Sequence, residues 1–417
     1  MKIFKFGGGI LKEPSSLKTL ARVLSEFKHD ELFIVVSAFD KTTNRLENLI
    51  SDYYHNRQTF NDSFNSIKSF HFSFINQLDF HNFHPVINSL WQHFNDLKNK
   101  FEEYAGYPYE VLYDQVVSFG EVFSSSIIHH YLLDKGFDSY FLDARKTVST
   151  DQHHRNACID EDKTRKLILE EMNNGFHQIT VTQGFIGFQQ NGLTTTLGRE
   201  GSDYTAAVLG AVMKADKVII WKDVHGVFNA DPKYYPWAVQ IKEMNYDNAA
   251  ELTGLGAKVL HHRTVQPVKK SRIPLEVRMF QEKSCCGTLI TSQAEKFPDI
   301  PVIIHRKNKI LFILTSLNGI SPGQSTLEKI DLLCKKFNLE VNYKSIFQKS
   351  MFICLSQPVE PAMSLKEILE HEYKVEIVFG VMMVKVKNGN SEVFERIKNE
   401  RKIIHEGISE GINYIFY

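Results

Sequence analysis

Lys2-Ile3-Phe4-Lys5-Phe6-Gly7-Gly8-Gly9, with Leu32-Phe33-Ile34-Val35-Val36-Ser37 after it, is the stretch that decides the fold. Alternating apolar and basic residues run into three glycines, which reads as a strand emptying into a flexible turn. A helix capped by Ser15 or Ser16 follows, with Leu17, Leu20, Ala21 and Leu24 on one face. The uninterrupted run Leu32–Val36 then has the texture of a strand buried on both faces of a parallel sheet. Strand, glycine turn, helix and strand open an α/β fold.

Outward from that start, about Asn44 to Tyr113 changes character to an aromatic-rich, histidine-dotted stretch without a glycine before Gly106, and is expected to be a helical insertion or lid. The α/β rhythm returns with a helix around Glu121–Leu133, strands at Ser139–Leu142, Gln178–Thr182 and Lys217–Trp221, and a helix after Ser202. One domain ends near Ser292. Beyond Ile300, strands are expected at Val302–His305, Ile310–Thr315, Val341–Ser345, Ser350–Leu355, Val375–Phe379 and Val381–Val386, with helices at Thr326–Lys336 and Val393–Lys398. A unit of helix and paired strands occurs about twice there, which fits two small ferredoxin-like α+β modules.

Composition bounds the function. Lysine plus arginine and aspartate plus glutamate number 49 each among 417 residues, so no net field draws a nucleic acid and any phosphate site must be local. The first residues lack the apolar core of a signal peptide, and no apolar stretch approaches the roughly 18 residues of a membrane span, so a cytoplasmic location away from membranes is expected. Five cysteines, with Cys285 and Cys286 adjacent, read as reduced thiols. The pairs His129-His130, His153-His154 and His261-His262 point in different directions on regular elements, and no spaced Cys/His set suggests a metal centre.

Four constellations carry chemistry. Lys5-Phe6-Gly7-Gly8-Gly9 sets a cation beside glycines whose N–H groups can approach a phosphate, although the triplet alone is equally a tight turn. It matches neither the Walker nor the dinucleotide-binding pattern. Thr194-Thr195-Thr196-Leu197-Gly198-Arg199-Glu200-Gly201-Ser202-Asp203 packs hydroxyls, glycines, a cation and a carboxylate ahead of an apolar helix that Ser202 is expected to cap. Trp221-Lys222-Asp223 through Phe228, Asp231 and Lys233 follows a strand end, where ligands sit in open α/β sheets; Ala230-Asp231-Pro232 is alternatively a plain turn. Gly256-Ala257-Lys258-Val259-Leu260-His261 places a lysine in what reads as a helical stretch.

Taken in this order, the four constellations resemble the aspartate kinases of the amino-acid kinase superfamily, whose C-terminal regulatory modules are ACT domains. The resemblance implies an open, mainly parallel sheet with helices on both faces over residues 1–295, interrupted by the insertion at about 45–113, and paired ACT-like modules over 300–417. It implies ATP-dependent phosphorylation of the aspartate side-chain carboxylate, with Mg²⁺ accompanying the nucleotide, as the first step towards lysine, threonine and methionine. A related kinase acting on another carboxylate, or a kinase-like regulatory protein without full activity, are the alternatives. By position, Lys5 and Asp203 carry the catalytic roles; Ser37, Thr43, Glu121 and Arg199 hold the substrate; Lys5, Gly7, Gly8, Lys222, Asp223, Phe228, Asp231, Lys233 and Lys258 surround ATP. Glu121 would receive the substrate ammonium and Arg199 its α-carboxylate. Asn318 and Ile320, in the loop after Ser316, would contact a lysine or threonine effector, and the C-terminal modules would join a homodimer. The chain departs from the family pattern at Gly9-Ile10, where Thr-Ser is usual, and at Lys222, where Thr is usual.

Overall fold

A computed structural model describes residues 1–417 apart from 56, 173–176, 258, 283–286, 296–299, 318–321, 357 and 400. Lys258, Cys285, Cys286, Asn318 and Ile320 lie outside the described residues. The chain forms two compact units, Met1–Val227 with Gln240–Lys296, and Phe228–Val239 with Phe297–Tyr417.

The first unit is built on an eight-stranded sheet. Its strands lie in the order Glu243–Met244, Thr288–Ile290, Leu275–Met279, Lys217–Lys222, Lys2–Phe6, Leu32–Val36, Ile179–Gln183 and Ser139–Leu142. Every neighbouring pair is parallel except Leu275–Met279 with Thr288–Ile290. The apolar run Leu32–Val36 is buried throughout, as expected for a central parallel strand covered on both faces. Phe6 sits in register with Val36 on one side and Trp221 on the other, so three strands end side by side at Gly7, Ser37 and Asp223. Ligands collect at such carboxyl-terminal strand ends.

The aromatic-rich insertion is helical, with helices Thr42–His55, Arg57–Asn76, His84–Glu103 and Tyr109–Val117. Its phenylalanines make a core: Phe94 stacks on Phe123 at 4.3 Å and Phe39 on Phe74 at 4.5 Å, all four buried. Three local expectations change. The first helix, Ser15–Ser25, begins after Pro14 and has no side-chain cap. Glu200, in the left-handed conformation with φ 54°, occupies the cap position of helix Gly201–Val212, which puts Ser202 inside its first turn. Gly256, at φ 105°, ends helix Tyr246–Leu255 and His261 caps helix His262–Ser271, so neither Gly256 nor His261 is inside the expected helical stretch, and Lys258 lies outside the described residues.

The second unit holds a six-stranded antiparallel sheet in the order Val341–Phe347, Ser350–Leu355, Val302–Ser316, Tyr373–Lys387, Ile412–Phe416 and His405–Ser409. Four strands expected as separate pieces are here two long ones, each of 15 residues. Asn308 (φ 56°) and Gly380 (φ 70°) lie near each other across the pair, at the register shift between Arg306 and Lys309. Both strands therefore bend together and the ladder continues past the bend. As a result the two modules are nested and not successive: the second takes a strand from the start of Val302–Ser316, ahead of the first in the chain. The two edge strands meet through His405, whose Nε2 lies 3.2 Å from the Tyr343 hydroxyl and 3.1 Å from that of Ser345. This closes a core of Leu311, Cys354, Val381, Met383 and Phe416. Among the described residues no helix is long and apolar enough to cross a membrane.

Candidate active site

At the carboxyl ends of the central strands of the first unit lies a cavity of about 690 Å³, the size of a small-ligand pocket. Lys5, at the end of the first strand, projects its Nζ to 2.6 Å from Asp203 Oδ1. Lys222, at the end of a neighbouring strand, reaches Asp203 Oδ2 at 2.9 Å and Glu200 at 3.9 Å. Asp203 has no solvent exposure. Burial pushes its carboxyl up, but Lys222 and Lys5 outweigh burial and hold it below the usual carboxylate range. Burial likewise disfavours the Lys222 charge, and Asp203 with Glu200 more than offsets this, raising that ammonium. One buried carboxylate thus fixes two ammonium groups at the cavity wall.

The glycine turn fits around this pair. A Cβ on Gly7 would sit 3.0 Å from Lys5 Nζ, and one on Gly8 would sit 2.2 Å from the Ala38 carbonyl oxygen, so Gly8 is required by the close approach of two strand ends. Gly201 and Ser202, at the start of the helix, also line the cavity, so a helix N-terminus forms part of its wall, with the Gly201 N–H donating to the Gly198 carbonyl at 3.1 Å.

Glu121 enters from helix Phe119–Asp134, and is buried. Its Oε1 accepts a hydrogen bond from the Ala38 N–H at 3.1 Å, while Oε2 has no hydrogen-bond partner among the described residues. Burial pushes its carboxyl up to about 8 against the opposing effects of that N–H and of Lys5. A carboxyl with one unpaired oxygen in a cavity is suited to receive a cation.

The cavity collects Lys5, Gly7, Gly8, Ser37, Thr43 and Glu121, and also Arg199, Asp203, Lys222 and Asp223. Phe228, Asp231 and Lys233 belong to the second unit and are not among its lining residues. There Asp231 Oδ1 accepts from the Lys233 N–H at 3.0 Å and the Asp231 carbonyl accepts from the N–H groups of Tyr234 and Tyr235, the geometry of a turn.

Sequence reasoning missed Tyr113 and Arg155, and gave no individual role to Thr196 of the hydroxyl-rich constellation; all three line the cavity. Arg155 lies in a polar loop without helical or strand periodicity, so nothing local marks it. It has a left-handed backbone, φ 62°, a conformation that costs a side-chain-bearing residue roughly 1–2 kcal/mol. Buried Asp114 holds it there: its carboxylate accepts from the Arg155 N–H at 3.2 Å, from Thr196 Oγ1 at 2.6 Å, and lies 2.6 Å from His154 Nδ1. Burial raises the Asp114 carboxyl, and these partners offset only part of that.

Comparison with known proteins bears on this geometry. A model of the amino acid kinase family matches residues 1–278. The chain is 34% identical over 248 residues to lysine-sensitive aspartokinase 3 of Escherichia coli (strain K12), covering 58% of this chain and 54% of that protein. It is 30% identical over 298 residues to aspartokinase 2 of Bacillus subtilis (strain 168), covering 70% of this chain and 71% of that one. The alignment with the first of these spans about half of that relative's length. Among solved structures, E. coli aspartokinase III with lysine and aspartate superposes with TM-score 0.82 at 26% identity, covering 100% of this chain and 96% of that one. The same enzyme with aspartate and ADP gives 0.77 at 25% identity, covering 100% and 95%.

Proposed function

The chain belongs to the amino acid kinase family, and we propose that within it the protein is an aspartate kinase, transferring the γ-phosphoryl group of ATP to the aspartate side-chain carboxylate. The observation that carries this reading is one cavity uniting Lys5 and Lys222 on Asp203 with Glu121 and Arg199.

A side-chain carboxylate is ionised at pH 7, with an ordinary pKa of about 3.9, and needs no general base. It needs the repulsion between two anions removed and an in-line approach. Lys5 and Lys222 supply positive charge at the phosphate end, and Asp203 keeps both ammonium groups in place. Glu121 takes the substrate ammonium on its open Oε2 and Arg199 takes the α-carboxylate. The carboxylate oxygen then forms a bond to phosphorus as the bond to the ADP oxygen breaks, giving an acyl phosphate and ADP without a covalent enzyme intermediate. Asp223, a carboxylate lining the cavity, would hold an Mg²⁺ ion accompanying the triphosphate, and that ion would supply charge neutralisation at the phosphates. Phe228, Asp231, Lys233 and Lys258 are assigned to the nucleotide by the family resemblance alone. A cytoplasmic enzyme, paired through its C-terminal modules and regulated by lysine or threonine near Asn318 and Ile320, goes with it; the lysine-bound E. coli structure supports lysine as the first effector to test.

The test is aspartate-dependent ADP release with the acyl phosphate trapped by hydroxylamine. Lys5→Ala should abolish both. Strong turnover of glutamate with none of aspartate would overturn the substrate assignment.

A further inference from the structure

Resting on the aspartate kinase reading, we propose that Arg155 is a second substrate-specificity residue, sharing with Arg199 the non-reacting α-carboxylate of the amino acid. Both arginines line the cavity, and among the described residues neither has an ion-pair partner. The cavity's other charges are largely committed: Asp203 to the two lysines, Glu200 to Lys222 and Asp40 to Arg45 at 2.9 Å. Two guanidinium groups in the same cavity wall match the α-carboxylate of an amino acid whose ammonium is received by Glu121.

Arg155 is held for this work. Its guanidinium stacks 4.4 Å from the ring centre of Tyr113, whose hydroxyl donates to Glu47 at 2.6 Å. Its backbone is pinned by Asp114, which also pins Thr196 of the neighbouring strand. Gly198 packs against the same loop: a Cβ there would lie 2.9 Å from the Arg155 carbonyl oxygen. The loops bearing Arg155 and Arg199 are therefore in contact, and both guanidinium groups come from adjoining parts of the wall. Arg263 clamps the two loops from behind, donating to Asn156 Oδ1 at 2.8 Å, the Ala157 carbonyl at 2.9 Å and the Leu197 carbonyl at 2.6 Å. Asp114 and Arg263 touch no substrate and act as positioning residues. Lys5 and Lys222, tied to Asp203, are left to the phosphoryl end, so the reacting carboxylate is not drained of nucleophilicity by a bidentate arginine.

The experiment is steady-state kinetics of the full chain and of Arg155→Ala, Arg155→Lys and Asp114→Asn. Arg155→Ala should raise the aspartate KM about 10- to 100-fold, the loss expected for a charge-assisted contact, with the ATP KM unchanged and kcat within about threefold. Arg155→Lys should recover part of the loss, and Asp114→Asn should raise the aspartate KM in the parent but add little in the Arg155→Ala background. Aspartate α-amide, used as a competing ligand, should inhibit parent and Arg155→Ala equally. An unchanged aspartate KM, a matched rise in the ATP KM, or equal loss of aspartate and α-amide binding would overturn the proposal. A parent chain that makes no acyl phosphate from aspartate would instead overturn the kinase reading and remove the substrate on which the proposal rests.

Discussion

If the substrate ammonium sits on Glu121 as proposed, aspartate binding is a proton-linked event. Its buried carboxyl titrates at about 8, so at pH 7 only about one-tenth of the free enzyme carries the carboxylate that a substrate ammonium needs. The apparent dissociation constant should exceed its alkaline limit by a factor of one plus the protonated-to-ionised ratio, about 11 at pH 7 and about 2 at pH 8. Aspartate should thus bind about fivefold tighter at pH 8 than at pH 7, and each binding event should release about 0.9 proton at pH 7 and about 0.5 at pH 8. Calorimetric titration of aspartate into the ADP-bound protein, repeated in buffers of different ionisation enthalpy, counts those protons directly. Remaining at or below pH 8.5 keeps the substrate ammonium charged. Glu121→Gln should release none and bind weakly at both pH values. No proton release by the parent at pH 7, with affinity flat from pH 6.5 to 8.5, would refute the argument that Glu121 is a protonated acceptor awaiting a cation.

The same titration bears on stability, since the folded state holds the Glu121 proton more tightly than the unfolded chain. Its contribution is present below about 4.5 and falls as pH rises through about 8, by up to about 5 kcal/mol; in melting scans Glu121→Gln should lose less stability than the parent between pH 5 and 9. Asp203→Asn leaves two ammonium groups without their buried counter-charge and should cost about 3 kcal/mol in denaturant unfolding, with turnover reduced at least about 100-fold. Gly8→Ala drives a methyl group into the Ala38 carbonyl and should lower the melting temperature and raise the ATP KM together; retention of both would show that the strand ends can separate. In the second unit, burial lowers the His405 imidazole to about 4, so its stabilising effect is present above about 6.5 and is lost as pH falls towards 4. Hydrogen-exchange protection along Val341–Phe347 and His405–Ser409, corrected for the intrinsic pH dependence of amide exchange, should fall over that window, and His405→Phe should suppress this change.

Much of this protein was determined by its sequence alone. The buried run Leu32–Val36 and the lysine-glycine turn define a parallel α/β core, because an apolar strand with no polar face must be covered on both sides. Lys5, Glu121, Arg199 and Asp203 stand in motifs whose charges are unusual beside glycines and apolar helices, so their chemistry is visible before they are brought together. What only the tertiary structure decided is pairing between distant residues. Asp203 is shared by Lys5 and Lys222 because three parallel strands end in register. Arg155 has no periodicity to mark it; it enters the cavity because Asp114, 41 positions away, fixes its left-handed backbone. The C-terminal strands were legible one by one, but not their fusion and nesting, since the irregularities at Asn308 and Gly380 restore the register only when the two strands are paired. Local sequence sets which residues can form a strand or carry a charge, whereas register and long-range hydrogen bonds set which of them meet.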